Sequence, residues 1–275
     1  MTDLVVRRLL IDLQTPFARH WHGGDAFRTA FSNALSMSFP AGEQFFIDSL
    51  RDGARSLPET ERARLAAEVQ AFVGQEATHR RVHALFNEQL ARQGYVNLWE
   101  VRIRARLPRL QGLDARHAVA ATAANEHFTA ILADWLLRHD EWLADMEPRL
   151  ATMWLWHASE ELEHRGTAFD LYLALGGNSR WRIRWMRIVT LYFLADLALQ
   201  TWRNLKTDGL QWRWSTWRSA ASFLFGRAGL VRRTFRAWRA YFRPDFHPAQ
   251  SDGSAGSGWL ARHRESWAAL SRPAG

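Results

Sequence analysis

Residues 76–79 and 161–164 both read Glu-x-x-His, and each pair falls on the apolar stripe of a long helical pattern. The first stripe runs Leu65, Val69, Phe72, Glu76, His79, His83 and Phe86, in steps of three and four that keep residues on one helix face. The second runs Leu150, Met153 or Trp154, His157, Glu161, His164, Ala168 and Leu171. A carboxylate placed in such a seam is costly to bury unless a metal ion, a proton or a partner compensates it. Two helices of this kind, facing one another, supply two carboxylates and two imidazoles to one interior point.

A di-metal centre in a four-helix bundle needs one further glutamate from each of the other two helices. Glu43, in PAGEQFFIDSL, stands on the side of Phe46, Ile47 and Leu50, and Glu126, in AATAANEHFTA, stands on the stripe Val119, Thr122, Glu126 and Ala133. The order Glu43, Glu76-x-x-His79, Glu126, Glu161-x-x-His164 has 32 residues between its first two glutamates and 34 between the second two, so the halves repeat. His157 is either a seventh ligand or a hydrogen-bonded core histidine beside Trp154 and Trp156. His83, His127, Glu160 and Glu163 lie one step off the inward positions or one turn away, and are expected to orient the ligating imidazoles or to face solvent.

The rest of the pattern is helical, with no period-2 strand signal. A first helical region over 25–51 is expected to break or kink at Pro40. A second runs from Leu57-Pro58 to Arg92, a third over 114–139 and a fourth from Pro148 to Leu175, ahead of Gly176-Gly177. Residues 95–112 are expected to form an irregular crossover, as in ferritin-like bundles. The expected fold is therefore all-α: a ferritin-like four-helix bundle over 1–180, a basic helical extension packed on it over 181–246, and a loose tail over 247–275 with one short helix at 258–270.

Several segments resemble a bacterial family known as predicted metal-dependent hydrolases: Phe39-Pro40-Ala41-Gly42-Glu43, Gln75-Glu76-Ala77-Thr78-His79, Asn125-Glu126-His127 and above all His157-Ala158-Ser159-Glu160-Glu161-Leu162-Glu163-His164. The likeness covers roughly residues 20–240, and it implies metal binding more firmly than hydrolysis. A weaker likeness is to the di-iron arylamine N-oxygenases, whose last helix carries an additional histidine four residues before its Glu-x-x-His; His157 stands there relative to Glu161.

The chain has no cysteine, which excludes disulfides, thiolate zinc and iron–sulfur clusters, so any metal sits on oxygen and nitrogen. That donor set favours two iron ions, with manganese or zinc as substitutes. The leading expectation is an O2-activating oxidase or oxygenase acting on a small apolar substrate. Di-metal hydrolysis and non-enzymatic metal storage are the alternatives. The run AVAATAA at 118–124 marks either close helix packing or a cavity beside the metals. Residues 181–246 hold thirteen Arg or Lys against three Asp, a balance of +10 in a chain of +8. No signal peptide opens the sequence and no apolar run spans a bilayer, so a cytoplasmic location is expected. The Trp/Arg flanks of the short apolar run 188–199 point to the anionic inner face of a membrane or to a homodimer, ahead of nucleic acid.

Overall fold

The apolar stripes become long helices, and the computed structural model, which describes residues 4–270, is mostly helical with almost no sheet. In chain order they are α1 (Ala26–Arg55), α2 (Glu59–Arg92), α3 (Leu98–Arg106), α4 (Ala115–Arg138), α5 (Pro148–His164), α6 (Thr167–Ala174), α7 (Ser179–Thr207), α8 (Trp214–Phe225), α9 (Leu230–Ala240) and α10 (Ser254–Arg262). α1 packs along α2 and α4 along α5, and these pairs meet through α1 with α4 and α2 with α5. No helix among the described residues is long and apolar enough to cross a membrane.

Two apolar clusters share the interior. One gathers Phe31 and Met37 of α1, Phe86 of α2 and Leu150 and Trp156 of α5; the other gathers Leu50 of α1, Phe72 of α2, Val119 of α4 and Leu171 of α6. Glu43, Glu76 to His83 and His157 to His164 fall between these two sets along their own helices. The polar residues therefore form one level between two apolar halves.

Pro40 does not break α1, contrary to the expected interruption. A proline in a helix removes its own N–H and crowds the carbonyl four residues back. Here the Asn87 side-chain amide donates to the Ser36 carbonyl at 2.9 Å, and that of Asn97 donates to the Met37 carbonyl at 2.7 Å. Two asparagines thus replace what the proline disrupts, and α1 continues to Glu43. The fourth helix, expected unbroken to Leu175, divides at Arg165-Gly166 into α5 and α6. Glycine is a poor helix former, and Arg165 is drawn outward to the Ser251 carbonyl at 2.9 Å. The crossover is more regular than expected: it holds α3 and a 3-10 turn, Leu107–Leu110.

Residues 248–270 also carry more structure than the loose tail expected over 247–275, whose last five residues lie outside the described ones. α10 buries Trp259 and Leu260, and a short strand β2 (Trp267–Ala269) pairs antiparallel with β1 (Arg7–Leu9), with Arg8 opposite Ala268. Three-residue strands carry too little alternation to be seen in sequence. The extension packs on the rest through Met186 and Val189 of α7, Phe223 of α8 and Tyr241. The small run 118–124 serves close packing in part: a Cβ added at Gly53 of α1 would stand 2.7 Å from Val119.

Replacing Asn87 with alanine should cost about 1–3 kcal/mol, the usual penalty for a buried acceptor left without its donor. The loss should shrink in a Pro40→Ala background, where the restored helical N–H reaches the Ser36 carbonyl. Urea unfolding of the two single variants and the double variant measures this coupling, and additive losses would refute the compensation.

Candidate metal centre

Each of four helices delivers one buried glutamate to the polar level: Glu43 from α1, Glu76 from α2, Glu126 from α4 and Glu161 from α5. α2 adds His79 and His83, and α5 adds His157 and His164, all buried. His164 Nε2 lies 3.2 Å from Glu76 Oε1, 3.2 Å from Glu126 Oε2 and 3.6 Å from Glu161 Oε2. His79 Nδ1 lies 3.5 Å from both Glu76 Oε1 and Glu161 Oε1. Donor atoms in the groups Glu43–Glu76–His79, Glu76–Glu161–His164, His79–His157–Glu161 and Glu43–His83–His157 lie within 4.8 Å of one another.

Closeness here is not hydrogen bonding. Both carboxylate oxygens of Glu43, Glu76 and Glu126, Oε2 of Glu161, Nδ1 of His79 and Nε2 of His164 are buried without a hydrogen-bond partner. Buried polar atoms are almost always paired, so lone pairs converging without donors between them fit cations. Oxygen and imidazole nitrogen are the donors that iron, manganese and zinc accept. The residues therefore fit a metal centre.

The imidazoles are held from behind, and their tautomers follow. His79 Nε2 donates to Glu160 Oε2 at 2.9 Å, which turns Nδ1 toward Glu76 and Glu161. His164 Nδ1 donates to Gln75 Oε1 at 2.9 Å, which turns Nε2 inward. Arg7, from β1, joins the two supports: its guanidinium reaches Glu160 at 3.0 Å and grips Glu163 at 2.6 and 2.9 Å, while Gln75 Nε2 donates to Glu163 at 3.0 Å. Partners of this kind orient a ligating histidine and raise its basicity.

A second chain of hydrogen bonds reaches His157. The Asn87 amide donates to the Ser36 carbonyl, leaving Asn87 Oδ1 to accept the Ser36 hydroxyl proton at 2.8 Å. Ser36 Oγ must then accept from His83 Nδ1 at 2.9 Å. Burial, with His157 and His79 nearby, holds the His83 pKa well below its usual value, so its Nε2 is free to accept from His157 Nδ1 at 2.6 Å. Burial and the charge of His79 likewise lower His157, to about 4. Its Nε2 is paired with Glu161 Oε1 at 2.8 Å, which leaves Oε2 as the unpartnered oxygen of that carboxylate.

All seven sequence-derived positions, Glu43, Glu76, His79, Glu126, His157, Glu161 and His164, thus lie in one cluster. Of the four residues expected around it, Glu160 and Glu163 support His79 and His164, and His83 supports His157. His127 does not take part: it bonds the Ala237 carbonyl at 3.0 Å and packs on Tyr241, fastening α4 beside α9. Arg7, Ser36 and Asn87 have no local signal in the sequence. Gln75 had one, its place beside Glu76 within the quoted motif.

The charge balance of the cluster is set by burial first. Burial raises Glu43, and repulsion from Glu76 adds to it; burial raises Glu76 in spite of His79, and raises Glu126 to about 8 in spite of His164. For His79 and His164 burial opposes the charge, but Glu160 and Glu161 around His79, and Glu126 and Glu161 around His164, override it and raise both well above the usual value. Glu161 is held low, against its burial, by His164, His157 and His79.

A folded state that holds more protons than the unfolded chain loses stability as pH rises. For the raised carboxylates that loss begins near their usual 4.5 and, for Glu126, runs to about 8. The stabilisation from His79 and His164 is complete below their usual 6.5 and disappears as pH passes their higher folded values. Divalent ions displace these protons, more easily at higher pH. The rise in melting temperature on adding Fe(II), Mn(II) or Zn(II) to chelator-treated protein should therefore be larger at about pH 8 than at about pH 6. An equal rise at both, by scanning calorimetry, would contradict the assignment.

No curated protein and no solved structure matches the chain. A family model does, over residues 5–252, nine-tenths of its length. The chain belongs to the family described as predicted metal-dependent hydrolases.

Proposed function

We propose that the chain is a ferritin-like di-metal carboxylate enzyme that uses O2 to oxidise a small apolar organic substrate. In this reading α1, α2, α4 and α5 are the four bundle helices, and their four glutamates with His79 and His164 hold two ions. Glu43, Glu76 and Glu161 each belong to two of the four groups of converging donor atoms, so each of these carboxylates would be within reach of either ion. His157 is a seventh donor, since its ring nitrogens lie in the His79–His157–Glu161 and Glu43–His83–His157 groups. The observation that carries the reading is the set of buried, unpartnered donor atoms on these helices. Four carboxylates carry a charge that two divalent ions neutralise. When bound, iron or manganese would give electrons to O2 and recover them from the substrate being oxidised, whereas a zinc pair would supply an acidified water for hydrolysis.

The chain's own residues favour oxidation. A cavity reaches His157 and Glu161 through walls that are mostly aromatic and aliphatic, including Phe39, Trp135 and Trp154. Hydrolysis calls for donors aimed at a developing oxyanion. Of the polar side chains in this wall, Thr129 already donates to the Glu126 carbonyl at 3.0 Å and His22 is bonded to the Trp142 carbonyl at 2.6 Å, which leaves the Ser32 hydroxyl and the unpartnered Trp154 Nε1–H as donors among apolar neighbours. Such walls bind an apolar molecule and keep bulk water from the ions. Hydrolysis is the second reading, carried by the family's description.

Protein purified from iron-supplemented cells should contain about two iron ions per chain, and its reduced form should consume O2 with a change in visible absorbance. Glu76→Ala should lose most of the metal. Zinc-loaded protein that cleaves esters and ignores O2 would establish the second reading, and background metal in both proteins would defeat the two together.

The basic extension is proposed to rest on an anionic membrane. Leu191, Leu194, Trp238 and Phe242 line a shallow groove between α7 and α9, flanked by Arg187 and Arg239. Trp212 and Trp214 are each 78 % exposed nearby in sequence. Exposed apolar and tryptophan side chains beside a surplus of arginine suit lipid headgroups. Sedimentation with phosphatidylserine vesicles should retain the protein at low salt and release it at high salt. A stable dimer that ignores lipid would assign the surface to self-association instead.

A further inference from the structure

Two cavities meet beside the candidate centre. The inner one, about 80 Å³, is the cavity that has His157 and Glu161 in its wall. The outer one, about 320 Å³, lies between α1, α3, α4 and α7. Phe39, Thr129 and Phe193 line both, so these side chains stand at the boundary. Phe39 is packed 4.7 Å, ring to ring, from His157, and Phe193 is stacked 4.8 Å from Phe128.

The outer chamber has two unlike parts. Its body is walled by Phe45, Trp99, Ile188 and Val189, with room left by Gly42 and Ala121. The small run at 118–124 therefore opens a cavity as well as allowing close packing. At the crossover, Arg106, Arg109 and Asp196 also line it. Asp196 is already taken by Arg102, at 2.5 Å, and by Arg106. Arg109, exposed on the 3-10 turn, has no ion-pair partner among the described residues. Three arginines against one carboxylate leave a positive surplus at this end of an otherwise apolar chamber.

We propose that the outer chamber binds an amphiphilic carboxylate, its anionic head at Arg106 and Arg109 and its apolar chain directed past Phe39 and Phe193 toward His157 and Glu161. Arginine is suited to the head because its planar fork matches a carboxylate, and the apolar chain gains by leaving water. This names the substrate class of the oxidation proposed above and rests on that reading only for the reaction at the chain's far end. Binding itself needs no metal, since no candidate ligand lines the outer chamber.

Calorimetric titration of the full chain, with and without iron, separates the two ideas. The probes are decanoate, decanol and decyltrimethylammonium, each below its micelle concentration. Decanoate should bind one to one in both forms, decanol roughly tenfold more weakly, about 1.4 kcal/mol, and the cation not measurably. Arg109→Glu, an exposed change, should reduce decanoate to the level of decanol and leave decanol unaltered. Ala121→Leu, which narrows the chamber, should weaken both. Equal affinity for decanoate and decanol, or decanoate binding indifferent to Arg109→Glu, overturns the proposal. Decanoate binding by protein that takes up no metal would preserve this site and sink the metal reading; iron uptake without decanoate binding would do the reverse.

Discussion

Four carboxylates buried at one level of a helical interior are the constraint to which the rest of this structure answers. A protein interior tolerates such a group only when something positive or proton-donating meets it, and here seven carboxylate oxygens find no hydrogen-bond donor. His79 and His164 relieve this by charge while they hold protons, but without hydrogen-bond geometry to these oxygens. An apolar replacement at these positions would pack more easily, so the arrangement is intelligible as the walls of a cation site rather than as a stability device.

The two support systems around the centre differ in kind. Behind His79 and His164 stands a charged set: Glu160, Glu163 and Gln75, tied by Arg7. Behind His157 stands a neutral relay through His83, Ser36 and Asn87. The first places the charge of Glu160 next to His79 and a neutral amide next to His164, whose basicity is raised from the other side by Glu126 and Glu161. The second fixes only which nitrogen carries the proton. His157 is thus kept uncharged while His79 and His164 hold protons until cations displace them. The relay also depends on the proline: the Asn87 amide that replaces a helical donor at Ser36 is the group that orients the Ser36 hydroxyl.

The cluster itself was legible in the sequence because it obeys helix periodicity. Glu43, Glu76, Glu126 and Glu161 sit on apolar stripes at spacings of three and four, and a stripe needs no knowledge of tertiary contacts. What could not be read depends on partners far along the chain. Arg7 meets Glu160 across about 150 residues, from a three-residue strand whose alternation is too short to register. Pro40 reads locally as an interruption, and its accommodation rests on Asn87 and Asn97, which belong to other elements. His127 looked like a neighbour of the centre from its place beside Glu126, yet one residue along a helix turns a side chain by about 100°, and it faces α9 instead. The break at Gly166 did carry a local signal, but the apolar stripe continues through Ala168 and Leu171 and conceals it.

The extension is expected from the sequence to pack on the bundle, and α7 also walls a chamber. α7 contributes Trp185, Ile188, Val189, Tyr192 and Phe193 to the outer chamber, so the chamber exists only because that helix closes it. Its position is set by polar side chains that interrupt its apolar run. Asp196 is tied to Arg102 and Arg106, and Gln200 accepts from the first backbone N–H groups of α3, at Leu98 and Trp99, both at 3.0 Å. Removing one member of a buried ion pair strands the other, so Asp196 cannot drift from the crossover without leaving its own charge uncompensated. Asp196, the one carboxylate inside the apolar run 188–199, is therefore what holds α7 against the crossover, and with it the path between surface and centre.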